Sequence, residues 1–264
     1  MRIEFQDVMF GYPGQEPVLN GIGFVVEAGE MACIVGFNGA GKSTIISLIA
    51  RVFDPQSGSI LIDGKDLRLY DPVSLHAHMA FTFQDFLRYP LTGRENVAIG
   101  QIDMLEDDRR VRAAAHTTGA DQVLNAKASS DSDRTLWDSK LSQREPHDLS
   151  GGQWQKVALS RSFMRDSNLL VLDEPSANLD PQAEYDLFYK LQQSRAHRTT
   201  LFVTHRLGVV RSADKIILVE EGKVQEMGSH DVLIAKEGGR YRHLYELQSE
   251  GFGKLQQESR GPSE

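Results

Sequence analysis

Apolar positions along the chain divide it into three stretches. Over the first ninety residues the apolar runs are short and β-rich. "RIEFQDVMF", "IGFVV" and the Gly-punctuated "SGSILIDGKDL" read as strands, the last with the look of a hairpin. "MACIVG" is a continuous apolar run that ends in a glycine loop. A helix is predicted from near Lys42, running through "KSTIISLIARVF" until Asp54-Pro55 stops it. "HMAFTFQ" reads as another buried strand, ending at Gln84. From about Tyr89 to Arg165 the pattern turns helical and charged, most clearly in "EDDRRVRAAAHTTGA". Within that stretch "NAKASSDSDRTLWDSKLSQREPHD" is polar and turn-rich, which predicts exposure.

The last third returns to alternation. "NLLVLDE" and "TTLFVTH" read as strands, "PQAEYDLFYKLQQSRA" as a helix, and "KIILVEEGKVQEMG" as a hairpin. Alternating strands and helices predict an α/β sheet with the helical stretch as a second lobe. The tail "GFGKLQQESRGPSE" has little to bury and is expected to fray. No internal repeat is visible.

Composition adds three exclusions. Of 264 residues 40% are apolar, enough for a packed core in one large domain or two lobes. The net charge is -8, from 37 acidic and 29 basic side chains, which argues against nonspecific nucleic-acid binding. Cys33 is the one cysteine, so no internal disulfide or cysteine-only metal site can form, and its apolar run predicts a buried strand position. The first residues carry no secretory pattern, and no run approaches the ~18–20 apolar residues of a membrane span. The expectation is a soluble chain in the cytoplasm.

The chemistry begins at Gly36-Phe37-Asn38-Gly39-Ala40-Gly41-Lys42-Ser43, which fits the pattern G-x-x-x-x-G-K-[ST]. Glycines let successive backbone N–H groups converge on an anion, and the helix that follows adds its positive end. Lys42 is placed to reach β- and γ-phosphates, and Ser43 to bind Mg²⁺. Such a loop says "nucleotide" and requires a carboxylate at a neighbouring strand end. "NLLVLDEPSANLD" supplies Asp173 and Glu174. Asp173 would hold Mg²⁺ directly or through water, and Glu174 could orient and deprotonate an attacking water. A solvated turn is the plainer reading of that pair. A second anion-receiving turn, Leu149-Ser150-Gly151-Gly152-Gln153, stands ahead of another helical run. By itself it could be an N-capped helix start.

The order of these elements is specific. A glycine loop, a glutamine at a strand end, Leu-Ser-Gly-Gly-Gln, Asp-Glu and a strand-end histidine follow one another. In this the chain resembles the nucleotide-binding domain of an ATP-binding cassette (ABC) transporter over about residues 2–248. The resemblance implies an α/β P-loop NTPase (RecA-like) core over 1–88 and 166–235, with an N-terminal antiparallel β subdomain. It implies an inserted α-helical signature subdomain over 89–165, and a C-terminal helix and flexible tail over 236–264. It also implies ATP and Mg²⁺. Two copies, or this chain and a homologous domain, would pair head to tail. Each nucleotide would then lie between the P-loop of one copy, including Thr44, and Ser150, Gly151, Gly152 and Gln153 of the other.

Other positions carry over singly. Tyr12 in "FGYPG" matches the aromatic that stacks on adenine, with turn packing as its plainer role. Val18 would pad the base or belong to the core. Gln84 matches the glutamine that meets Mg²⁺ and the attacking water. Asp180 matches a loop that crosses the dimer interface, or caps the helix "PQAEY". His205 in "LFVTHRL" matches the histidine that contacts the γ-phosphate and holds Glu174.

Residues 85–97, "DFLRYPLTGRENV", resemble the region that touches a transmembrane partner, with Phe86 and Tyr89 as contacts or as packing in the helical lobe. "THRLGVVRSADKIILVEEGKVQEMGSHDVL" and "GGRYRHLYELQ" resemble exporter-type cassettes, whose membrane part is commonly fused upstream. Here it would be a separate polypeptide or have been excised. One departure is "LSQREPHD", where many exporters carry a Gly-rich segment with a glutamate; Glu145 is the candidate substitute. Two rivals stand beside the exporter reading: a soluble ABC ATPase of the cluster-assembly type, and a clamp that binds ATP without splitting it.

Overall fold

The computed structural model describes residues 1–128, 133–141, 149–193, 198–247 and 249. In chain order the strands are β1 (Ile3–Phe10), β2 (Leu19–Val26), β3 (Met31–Val35), β4 (Ser57–Ile62), β5 (Lys65–Asp66), β6 (Met79–Thr82), β7 (Leu169–Asp173), β8 (Thr199–Val203), β9 (Lys215–Glu220) and β10 (Lys223–Gly228). The helices are α1 (Lys42–Ile49), α2 (Pro72–Ala77), α3 (Gly93–Ala98), α4 (Asp108–Thr118), α5 (Ala120–Leu124), α6 (Gly151–Phe163), α7 (Pro181–Gln193), α8 (Leu207–Val210), α9 (His230–Ala235) and α10 (240–247).

Two sheets result. One is antiparallel, in the order β2-β1-β4-β5. The other runs β10-β9-β3-β8-β7-β6, parallel from β9 to β6 with β10 antiparallel at one edge. β3, β7 and β8 are buried at every position, as strands covered on both faces must be. Their alternate side chains feed two cores. Ala32 and Ile34 join the antiparallel sheet and α1 on one face. Met31, Cys33 and Val35 join Leu187 and Phe188 of α7 and Tyr241 and Leu244 of α10 on the other. Cys33 is fully buried; burial and the nearby Glu174 carboxylate push its thiol well above the ordinary range. A third apolar cluster, centred on Trp154 and Trp137, unites α3, α4, α5 and α6.

Three expectations are corrected. The first helix stops at Ile49 rather than at Asp54, because Arg51 takes a left-handed φ of 53° that a helix cannot accommodate. Its guanidinium then bonds the carbonyls of Arg68 and Tyr70. β6 ends at Thr82, where its pairing with β7 at Leu172 ends, and Gln84 lies beyond it. The polar stretch before the second turn is not wholly exposed: Trp137 and Leu141 are buried in the helical cluster. Residues 142–148, with Glu145, and the tail from residue 250 lie outside the described residues. Among the described residues no helix is long and apolar enough to cross a membrane.

Candidate functional site

A parallel sheet brings the C-terminal ends of its strands to one edge, where ligands of open α/β folds bind. Here β8 lies between β3 and β7, with Ile34 and Asp173 both in register with Val203. The glycine loop after β3, the carboxylates ending β7, His205 after β8 and Gln84 after β6 therefore share that edge. The glycine loop, Gln84 and Glu174 border an open cleft of about 400 Å³, with Asp173 and His205 outside its lining. It gathers Tyr12, Val18, Asn38, Gly39, Gly41, Lys42, Ser43, Thr44, Gln84 and Glu174. Gln15, absent from the sequence reading, lines it as well. Ala40 is buried beneath, in the core.

The loop's glycines at 36 and 41 are required sterically. At Gly36 a Cβ would come within 2.1 Å of the Val219 carbonyl oxygen, and at Gly41, with φ +99°, within 2.5 Å of Leu19 Cδ2. Lys42 Nζ donates to the carbonyls of Gly36 and Phe37, each at 2.9 Å, and so spans the loop it follows. Burial lowers the Lys42 pKa, while Glu174 and Asp173 nearby favour its charge. Tyr12 is fixed edge-on against Phe10 and Phe53, and its hydroxyl lies 3.2 Å from Thr44 Oγ1.

Glu174 is held in an unusual backbone state. Its φ is 50°, which costs a non-glycine residue on the order of 1 kcal/mol. Its N–H donates to Val203 O at 3.0 Å, and its carboxylate Oε2 stands 2.8 Å from His205 Nδ1. His205 is half exposed and Glu174 is buried, so the pair presents one wet and one dry partner.

Asp173 lies behind this pair. Its Oδ1 is buried without a hydrogen-bond partner. Burial pushes its carboxyl above the ordinary range; a hydrogen bond from Ser43 opposes this, and the Glu174 charge adds to it. An orphaned carboxylate oxygen beside a P-loop serine fits a divalent cation. Among the described residues no three His, Cys, Asp or Glu side chains converge on one point. Such an ion would complete its shell with phosphate oxygens and water.

The raised Asp173 pKa gives a prediction. The folded state holds that proton more tightly than the unfolded chain, so this group's stabilisation is fully present below the ordinary carboxylate range. It is lost as pH rises through the raised value. Asp173→Asn is expected to flatten that decline in unliganded protein and to reduce the stabilisation gained from Mg-ATP. Melting curves between about pH 4 and 7, with and without ligand, test both halves; an unchanged pH slope refutes the first.

The second turn lies apart from the cleft. Ser150 caps α6: its Oγ accepts from Gln153 N at 3.3 Å and its N–H donates to Gln153 Oε1 at 2.8 Å. None of Ser150, Gly151, Gly152 or Gln153 lines the cleft of its own chain. Gly152 has a packing reason to be glycine, since a Cβ there would meet Asn178 O at 2.5 Å. Asp180 caps α7, accepting from Gln182 N and Ala183 N, and is also outside the cleft.

Sequence reasoning missed Gln155. Its side chain is buried, donates to Glu174 O at 3.0 Å and accepts from Asn178 N at 2.8 Å. The available signal was an amide between Trp154 and Val157 on the buried side of α6. In the 85–97 region, Phe86 packs on the helical cluster. Tyr89 lies under the Arg161 guanidinium at 5.0 Å, and burial pushes that group down to about 10. Leu87 and Phe83 remain exposed.

Comparison with known proteins agrees with this geometry. A family model described as ABC transporter matches residues 19–177. The chain is 39% identical over 249 residues to an ATP-dependent lipid A-core flippase of Burkholderia orbicola, covering 94% of this chain and 40% of the relative. It is 37% identical over 242 residues to the beta-(1→2)glucan export ATP-binding/permease protein NdvA of Rhizobium etli, covering 92% and 40%. A solved bacterial Atm1-family ABC exporter with ATP bound superposes with a TM-score of 0.85 at 32% identity, covering 94% of this chain and 41% of that one. The chain thus spans about two fifths of the length of these relatives. It belongs to the ABC transporter family, and as a P-loop ATPase domain it is similar to the ATP-binding part of these exporters.

Proposed function

We propose that this domain hydrolyses Mg-ATP between two head-to-tail copies and drives export through a transmembrane partner. The observation that carries the reading is a separation. The P-loop and Glu174 share one cleft, and His205 is tied to Glu174 from beside it, while the anion-receiving turn at Ser150 stands outside. A second copy can bring its Ser150, Gly151 and Gly152 amides to the open side of the nucleotide, as helix N-termini do for anions. Tyr12 and Val18 face the base, and Asp180 meets the other copy.

Residue roles follow from position. Lys42 holds the β- and γ-phosphates, with the backbone of Asn38, Gly39, Ala40, Gly41, Ser43 and Thr44 around them. Ser43, Gln84 and Asp173 would hold Mg²⁺, which neutralises charge on the phosphate oxygens. Glu174 takes a proton from water as the water oxygen attacks the γ-phosphorus and the bond to the ADP oxygen breaks. His205 fixes the Glu174 carboxylate and the attacking geometry. The exposed Leu87 and Phe83, beside the 85–97 segment, offer an apolar contact for the transmembrane partner.

The paired site is tested by concentration. Phosphate release per molecule is expected to rise with protein concentration and then level off. A constant specific rate over a hundredfold range would exclude catalysis by a dimer.

A further inference from the structure

The carbonyl of Glu174 is not left to its own strained turn. Gln155, buried on α6, donates to it at 3.0 Å and takes the Asn178 N–H on its other amide atom at 2.8 Å. One side chain thereby ties the backbone of the proposed base to the loop that follows. That loop is also pinned from the other side, where Arg206, next to His205, donates to Ala177 O at 3.0 Å and Leu179 O at 3.1 Å. At its α6 end it lies against Gly152, where a Cβ would come within 2.5 Å of Asn178 O.

Gln155 lies only five residues along the helix from Ser150, about 7.5 Å of axial rise. A displacement of the Ser150 turn therefore reaches the Glu174 backbone through a single helical segment and one amide. We propose that Gln155 is a positioning residue that couples the two nucleotide sites. The nucleotide gripped by the Ser150 turn, which sits in the partner copy's cleft, sets the placement of Glu174 over the nucleotide in its own. The inference rests on the head-to-tail reading above.

The separation matters because Glu174 acts through geometry. A base displaced by an ångström costs on the order of 10²-fold in rate without a matching loss of binding. An amide suits this position because it satisfies one buried donor and one buried acceptor, and no other uncharged side chain of that length does both.

The test compares wild type, Gln155→Glu and Gln155→Met in the dimerising protein. Glu keeps the acceptor for Asn178 N and removes the donor to Glu174 O only when ionised; protonated in this buried place it donates there again, so Met is the decisive variant. Met fills the same space with neither. Met is expected to lower kcat by about 10–100-fold with KM within about threefold, and to bring the ATP Hill coefficient toward one; Glu is expected to do so only at pH where its carboxyl is ionised. In a Glu174→Gln background the same changes should alter single-turnover hydrolysis less than about twofold, because the group they position is already lost.

Gln155→Met folding with wild-type kcat and cooperativity overturns the proposal. A full additional loss in the Glu174→Gln background also overturns it, since Gln155 would then act elsewhere. If instead Glu174→Gln itself forms no ATP-dependent dimer and wild type shows no concentration dependence, the paired-site reading fails before Gln155 is at issue.

Discussion

Replacing Glu174 with Gln is expected to slow turnover by about 10²–10⁴-fold and to leave a long-lived ATP-bound dimer. The substitution keeps the side-chain length and the strained φ of 50°, so the backbone bond to Val203 O is undisturbed. A neutral amide next to His205 Nδ1 still has a hydrogen-bonding atom to offer, and the local packing persists. What disappears is the proton acceptor. General-base contributions run to about 10²–10⁴ in rate, and phosphate release is expected to fall within that range. Binding moves the other way. The ionised Glu174 repels the neighbouring Asp173 carboxylate and would repel the γ-phosphate. Removing one negative charge from a buried, triphosphate-filled site tightens it. Light scattering after gel filtration in Mg-ATP should give twice the monomer mass for the variant and a mixture for wild type. Phosphate release near the wild-type rate would show that the proton goes elsewhere.

How much of this was legible depends on where each constraint originates. The glycine loop could be read directly, because the Val219 carbonyl excludes a side chain at Gly36 and Gly41 takes a φ of +99°. The carboxylates could be read because "LLVLDE" is a strand that ends in charge, and a parallel sheet fixes what lies at such an end. Long-range contacts were hidden. The geometry of Glu174 depends on Val203 and Gln155, and nothing in "DEPS" announces either. The end of the first helix escaped because it closes at a left-handed Arg51, with Val52 N–H donating back to Ser47 O, where a glycine would have marked the stop. Trp137 misled in another way. It sits among polar neighbours, yet its indole N–H finds Asn125 Oδ1 at 2.9 Å and its ring is buried in the helical cluster. Periodicity sees neighbours in sequence; these residues are fixed by neighbours in space.

Lys42→Ala is expected to abolish useful nucleotide binding by a different physical route. In the structure the ammonium donates to Gly36 O and Phe37 O, and it lies near both Asp173 and Glu174. It is the positive side chain in a cleft lined by the Glu174 carboxylate, with Asp173 close by. Without it a triphosphate would face those carboxylates and two carbonyl oxygens, with backbone N–H groups alone to offset them. Loss of one buried charge partner costs about 2–5 kcal/mol; at about 3 kcal/mol the affinity falls ~100-fold. The readout is thermal. With ATP at about 100 times the wild-type Kd, wild type gains about 2.7 kcal/mol of stability, whereas a variant weakened ~100-fold sits at its own Kd and gains about 0.4 kcal/mol. Asp173→Asn should separate from it, retaining a shift with ATP in the absence of Mg²⁺ that Lys42→Ala lacks. A wild-type thermal shift in Lys42→Ala would mean that the loop amides bind the phosphates unaided and that the lysine serves only to brace the loop.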